Sequence, residues 1–178
     1  MPFAITHILA AILLIELYRE YFSSSKKLPR YYILIAAIGS MIPDLDIAAY
    51  YVLYSFGFSF EQIHKTFFHT IFIPLILLLI SLFFYKTGIK NKELSKKHLK
   101  ISSIFFIFAG ASLLHLMLDS LFTEVMLFYP FSLHEFGINI IKFVPEGLNF
   151  FVCPTLDGIL LFLWIFWMEF KLKISRYF

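Results

Sequence analysis

The chain has 178 residues, of which 60% are hydrophobic and only 15% are charged. Soluble domains are ordinarily about 45–50% apolar and about 25% charged, so the composition argues against a soluble protein and favours one that lies in a bilayer. The net charge of +3 is too small to indicate a nucleic-acid partner, and a single cysteine, Cys153, excludes an internal disulfide framework.

Apolar runs predict an all-α, polytopic membrane helical bundle with about five spans, folded as one domain over residues 1–178. Each of the last three runs has the roughly 20 residues that a crossing needs. The first has no lysine or arginine before it, so we expect it to be retained as a span rather than cleaved as a signal peptide. The second is over-long and should break or kink at Pro43. The runs cover 3–18, 31–58, 67–85, 101–121 and 150–170.

The segment 122–149 is aromatic but contains two prolines and two glycines, Pro130, Gly137, Pro145 and Gly147. These residues make it too irregular to cross a bilayer. It is therefore predicted to form an interfacial lid between the last two spans.

Positive charge is distributed unevenly between the two sides of the predicted bundle. All but two of the 15 lysines and arginines lie in the loops after runs one and three or after run five; the exceptions are Lys65 and Lys142. Cytoplasmic loops carry the excess of positive charge. The pattern predicts a multi-pass protein of the cytoplasmic membrane, with the N-terminus outside, the C-terminus inside and an odd number of spans.

Polar side chains inside the apolar runs are costly and need a partner or a function. They fall at alternating ends of successive runs, and antiparallel spans bring such ends to one side, here the outer side. His134 of the lid shares that side, whereas His98 lies in a basic loop. The side chains in or beside the runs are His7, Asp44, Asp46, His64, His69, His115, Asp119 and Asp157.

Local spacing within this set indicates metal binding. His115 and Asp119 are four residues apart and share one helix face, while Asp44 and Asp46 directly follow a proline. Imidazole and carboxylate together suit Zn²⁺, and also Mn²⁺ or Fe²⁺. Each group has a structural alternative: a hydrogen bond between packed helices, a helix-capping turn, or, for Asp157, a first-turn charge favoured by the helix dipole.

The order of these motifs resembles the YdjM/DUF457 type of inner-membrane proteins, a family of predicted metal-dependent hydrolases. The resemblance covers about residues 5–132. The matching segments are Thr6-His7, Pro43-Asp44-Leu45-Asp46, His64-Lys65-Thr66-Phe67-Phe68-His69-Thr70, His115-Leu116-Met117-Leu118-Asp119 and Phe128-Tyr129-Pro130-Phe131-Ser132.

That family is distantly similar to the zinc-dependent phospholipase C and single-strand nuclease superfamily, which implies a phosphoester hydrolase. The ligand order of the superfamily is similar to His7, Asp44 or Asp46, His69, His115 and Asp119, with His64 as a further candidate. The superfamily also has later histidine ligands, and no histidine follows His134 here. One or two metal ions are therefore expected, zinc first, instead of three.

The favoured hypothesis is a membrane-embedded metal-dependent hydrolase that acts on a phospholipid or another lipid-linked phosphoester. In it Asp46 serves as general base and Lys65 binds substrate phosphate. The alternatives are a divalent-cation transporter and a non-catalytic scaffold with a structural metal. Crowding of the ligands toward one face argues against transport. The sequence leaves the substrate and the oligomeric state open.

Overall fold

The computed structural model describes residues 2–22, 28–64, 66–91 and 93–173, without the side chains of residues 61, 62 and 172. These residues are helical with irregular connections and, within the described ranges, contain no strand beyond an isolated bridge between Val125 and Phe136. The all-α prediction is confirmed. The helices are α1 (Ala4–Tyr21), α2 (Tyr31–Gly39), α3 (Leu45–Leu53), α4 (Phe60–Ile63), α5 (Phe72–Lys90), α6 (Ser95–Phe122) and α7 (Asn149–Trp167).

The number of candidate spans is smaller than predicted. Three helices, α5, α6 and α7 with its extension to Lys171, are long and apolar enough to cross a membrane. A fourth is gained if Tyr31–Ser40 and Leu45–Phe56, bent by 48°, count as one broken span. This count, made by length and composition over the described residues, is somewhat lower than the about five spans predicted. Helix α1 falls short because its 18 residues include Glu16, Arg19 and Glu20.

Two boundaries differ from the apolar runs in ways that matter for the site. The long second run does divide beside Pro43, since α2 ends at Gly39 and α3 begins at Leu45. Helix α5, which corresponds to the third apolar run, begins at Phe72, five residues later than predicted. Pro74 then lies in its first turn, where the missing N–H costs nothing. The preceding residues form turns and not helix, and they include His69.

Small residues allow the helices to approach closely. Helix α2 packs between α1 and α6, α5 pairs with α6, and α7 packs on α1. Ala11, Ala36 and Ala111 form a buried cluster where α1, α2 and α6 meet. A Cβ atom on Gly39 would lie 3.1 Å from the Phe108 Cα, so a larger residue would have to shift α2 and α6 slightly apart. Close backbone approach of this kind is typical of membrane helices.

The predicted lid segment is irregular, as expected, and packs on the turn that carries His69. The Ile71 amide donates a 2.9 Å hydrogen bond to the Leu127 carbonyl. The Phe67 and Tyr129 rings meet edge to face, with centroids 5.0 Å apart, and Val125 is buried. The segment therefore supports one wall of the candidate site.

Candidate metal centre

Five buried or nearly buried side chains from four parts of the chain meet at one end of the bundle. They arrive from the first turn of α1, the break between α2 and α3, the turn before α5 and the last two turns of α6. We call this set the cage; it consists of His7, Asp44, His69, His115 and Asp119.

Asp119 contacts all three histidines of the cage. One of its carboxylate oxygens lies 3.3 Å from the His115 Nε2 and 3.4 Å from the His69 Nε2. The other lies 3.4 Å from the His7 Nε2. A carboxylate oxygen of Asp44 is 3.6 Å from the Nε2 atoms of both His69 and His115.

These separations fit ligands around one cation. Ordinary N–H···O hydrogen bonds are about 2.7–3.2 Å long, and the cage contacts are longer. Two ligands bound tetrahedrally at about 2.05 Å are about 3.3 Å apart. Five nitrogen–oxygen pairs of the cage are 3.3–3.6 Å apart, which is close to the edge of such a tetrahedron.

Backbone and carboxylate acceptors fix the orientation of two of the imidazoles. His115 donates from Nδ1 to the Ser40 carbonyl at 2.7 Å, and His69 donates from Nδ1 to Asp46 at 2.8 Å. With Nδ1 protonated, each ring turns the lone pair of Nε2 into the cage. Outer partners of this kind orient histidine ligands in metal proteins.

Asp46 and His64 form an outer pair behind His69. One oxygen of Asp46 accepts from His69, and the other lies 3.1 Å from the His64 Nδ1. The sequence left Asp44 and Asp46 as near-equal candidates. The structure places Asp44 among the inward-facing donors and Asp46 against the outer nitrogen of His69, so the two carboxylates have different neighbours.

This difference predicts unequal effects of two matched substitutions. Asp46→Asn should weaken metal affinity by about 10–100-fold, the usual cost of losing an outer partner of a histidine ligand. Asp44→Asn removes an inward-facing anionic donor and should weaken affinity more. Titration of each purified variant with Zn²⁺ measures both. Equal affinities for the two variants would contradict these assignments.

Several buried polar atoms of the cage lack a hydrogen-bond partner within the described ranges. They are both ring nitrogens of His7 and both carboxylate oxygens of Asp119. Such atoms cost free energy unless something satisfies them. The His7 ring stacks on that of His115 at 3.7 Å, which holds its Nε2 toward Asp119. A dication among the cage residues would satisfy Nε2 of His7 and the oxygens of Asp119, and it would balance the charges of Asp44 and Asp119.

The electrostatics of His69 lead to the same conclusion. Burial alone would lower the pKa of His69, but its contacts with Asp119, Asp44 and Asp46 raise that pKa to about 10. Without a metal ion, the carboxylates therefore draw a proton onto the imidazole. A bound cation would supply positive charge to these carboxylates in place of that proton.

Three other polar residues, His134, His98 and Asp157, lie outside the cage. Lys65, a further candidate, falls outside the described residues. His134 is exposed and packs on Phe136, and His98 is about 25 Å from His115 along α6. Asp157 is not a first-turn charge, because α7 begins at Asn149; it accepts a hydrogen bond from the Thr6 hydroxyl instead.

Some residues that support the metal centre could not be predicted from the sequence. Ser40 acts through its backbone carbonyl, so its side-chain type could not reveal it. Ser112 donates to the Gly39 carbonyl at 3.0 Å and ties the end of α2 to α6 one turn before His115. In the sequence Thr6 stands out only as the neighbour of His7, although its hydroxyl links α1 to α7 through Asp157.

The fold and the site together define a helical membrane protein with a buried histidine–aspartate cluster that could hold a metal ion. The family model of the YdjM inner membrane proteins matches residues 1–174, so the chain belongs to that family. Neither a curated protein nor a solved structure matches it.

Proposed function

We propose that the chain is a membrane-embedded, divalent-metal-dependent hydrolase of phosphoesters. The observation that carries the proposal is the convergence of three imidazoles and two carboxylates, including buried atoms of His7 and Asp119 that lack a hydrogen-bond partner within the described ranges. The family assignment agrees with a membrane site. The order of the histidine and aspartate motifs resembles that of phosphoester hydrolases, and this resemblance suggests the reaction class.

The donor set favours one ion held by the cage. Imidazole nitrogen and carboxylate oxygen donors suit Zn²⁺, and Mn²⁺ or Fe²⁺ is compatible; a catalytic zinc ion would use three of these donors and keep a position for water. A second ion beside Asp46 and His64 would have to share the ring of His69 with the first, through opposite nitrogens. We therefore assign the outer pair to positioning and proton transfer.

The metal centre is least buried at the edge beside Asp44 and His64. The His69, His115 and Asp119 side chains are fully buried, whereas Asp44 and His64 keep 8% and 9% of theirs exposed. A substrate phosphoester would approach at this edge. When bound, the metal would lower the pKa of a water ligand toward about 7 and polarise the phosphoryl oxygen.

The outer pair supplies a proton acceptor at the same edge. Asp46 contacts the Nδ1 of His64 and orients the ring, as carboxylates orient catalytic histidines. In this arrangement His64 accepts the proton of the attacking water, and Asp46 acts through it. Lys65, the next residue, is proposed to bind substrate phosphate.

The experiment measures hydrolysis of bis(p-nitrophenyl) phosphate and of a diacyl phospholipid in detergent micelles. We expect turnover that a chelator abolishes and Zn²⁺ restores. His64→Gln should reduce turnover by about 10²-fold with the metal retained, because it removes a general base. His134→Gln, at an exposed histidine away from the cage, is the matched control and should have little effect.

Two other results would decide against hydrolysis. Metal-dependent stability without turnover of either substrate would favour a scaffold with a structural metal. Uptake of Zn²⁺ by liposomes that contain the protein would favour a transporter. Against transport, all three histidine–aspartate groups found among the described residues share members and lie at one end of the bundle.

We further propose that the cage lies on the extracytoplasmic side, with the N-terminus outside and the C-terminus in the cytoplasm. The distribution of lysine and arginine supports this orientation. Fusion of a fluorescent protein to the C-terminus should give fluorescent cells, and fusion of alkaline phosphatase there should give inactive phosphatase. Active phosphatase would contradict this orientation and place the C-terminus outside.

A further inference from the structure

An apolar groove begins directly beneath the cage and runs toward the other end of the bundle. Its volume is about 630 Å³, which is within the ordinary range for a small-molecule site. At its upper end lie Ala11, Ala36 and Ala111. Each alanine is four residues, about one helical turn, from a residue of the metal centre or its hydrogen-bond partner: His7, Ser40 and His115, respectively.

The groove follows α1 and α6 away from the metal centre. Along α6 it extends from Leu114 to Ser103, roughly 16 Å at 1.5 Å per residue. Along α1 it extends past Leu14 to Phe22. Leu14, Phe22 and Phe106 are exposed, so the groove opens sideways toward lipid and an occupant could enter from the bilayer.

The lining is apolar along almost the whole length, and Ser103 and the hydroxyl of Tyr18 are its main polar groups. A headgroup would leave its polar atoms unpaired there, while a hydrocarbon chain needs no partners. The upper end of the groove is one helical turn from the residues that would act on a phosphoester. Length, lining and position therefore match the tail of a lipid whose head is at the cage.

We propose that this groove binds an acyl chain of the substrate, so that the substrate class is a lipid phosphoester selected partly by chain length. The inference rests on the proposed hydrolase function. It assigns a specificity role to the surface between α1 and α6, with Gly110 at its wall.

Two glycines make a matched test. A Cβ atom built on Gly110, which lines the groove, meets no atom within 4 Å. Gly158 in α7 is equally open but does not line the groove. Gly110→Phe should therefore obstruct the groove without a clash, and Gly158→Phe controls for adding a large ring to an exposed helix face.

The assay compares kcat/KM for phospholipids with one headgroup and either short or long acyl chains, and for bis(p-nitrophenyl) phosphate, which has none. The wild type should prefer long chains. Gly110→Phe should reduce kcat/KM for the long-chain lipid at least tenfold, because each lost methylene contact is worth about 10-fold or more. Turnover of the soluble diester should be unchanged, and Gly158→Phe should behave as the wild type.

The outcomes separate the two proposals. Hydrolysis that is indifferent to chain length, or to Gly110→Phe, overturns the acyl-chain groove but leaves the hydrolase intact. Failure to hydrolyse any of the three probes overturns both. If Gly110→Phe lowers the oligomeric mass in detergent without altering chain-length preference, the groove is a contact between copies and the proposal is wrong.

Discussion

Replacing Asp119 by asparagine is expected to abolish stoichiometric metal binding and to lower any hydrolytic turnover by about 10³-fold or more. Asp119 contacts His7, His69 and His115, so its charge serves the whole cage. Asparagine has nearly the same shape but lacks the negative charge that a cation needs. Losing a metal that activates water removes several kcal/mol of transition-state stabilisation, and each 1.36 kcal/mol is tenfold in rate.

The measurement is metal content per chain together with turnover, after purification in the same detergent. Glu124→Gln is the matched control, since Glu124 pairs on the surface with Lys142 at 2.7 Å and belongs to none of the histidine–aspartate groups that could hold a metal. It should retain metal and turnover. An Asp119→Asn protein that binds one ion per chain with wild-type affinity would contradict the assignment of Asp119 to the cage.

Removing the metal from the wild type is expected to lower the melting temperature by roughly 10 °C. A ligand present at about 1,000 times its dissociation constant stabilises the folded state by about 4.1 kcal/mol. For chains of this size each kcal/mol corresponds to about 2–4 °C. The physical cause is the cage itself, because without a cation Asp44 and Asp119 are held together with little solvent.

Thermal unfolding with and without a chelator, followed by re-addition of Zn²⁺, gives this difference. In the Asp119→Asn protein the same treatment should change the melting temperature little, since the ion is already absent. A wild-type melting temperature that is insensitive to chelation, in protein shown to contain metal beforehand, would mean that the ion is not held by the buried cage.

The sequence predicted which distant residues lie together better than it predicted where the helices begin and end. Polar residues at alternating ends of apolar runs must share one side if successive helices are antiparallel, and His7, His69 and His115 do meet. This inference depends only on alternation. It therefore does not depend on the exact bounds of the helices, such as the start of α5 at Phe72 instead of residue 67.

Other features could not be read from composition. Helix α1 packs against α2, α6 and α7, although Glu16, Arg19 and Glu20 take it below the composition of a clear span. The separation of Asp44 from Asp46 depends on how the chain turns at Pro43, and two residues of spacing fit either assignment. The Ser40 carbonyl became a partner of His115 only through tertiary packing.

The central claim is that one cation binds among His7, Asp44, His69, His115 and Asp119. Diffraction from crystals grown with Zn²⁺, recorded on both sides of the zinc absorption edge, tests it most directly. We predict a single anomalous peak per chain within about 2.0–2.2 Å of cage nitrogen and oxygen atoms. A zinc-loaded crystal with no peak there, or with its only peak at an exposed histidine such as His134, would contradict the account.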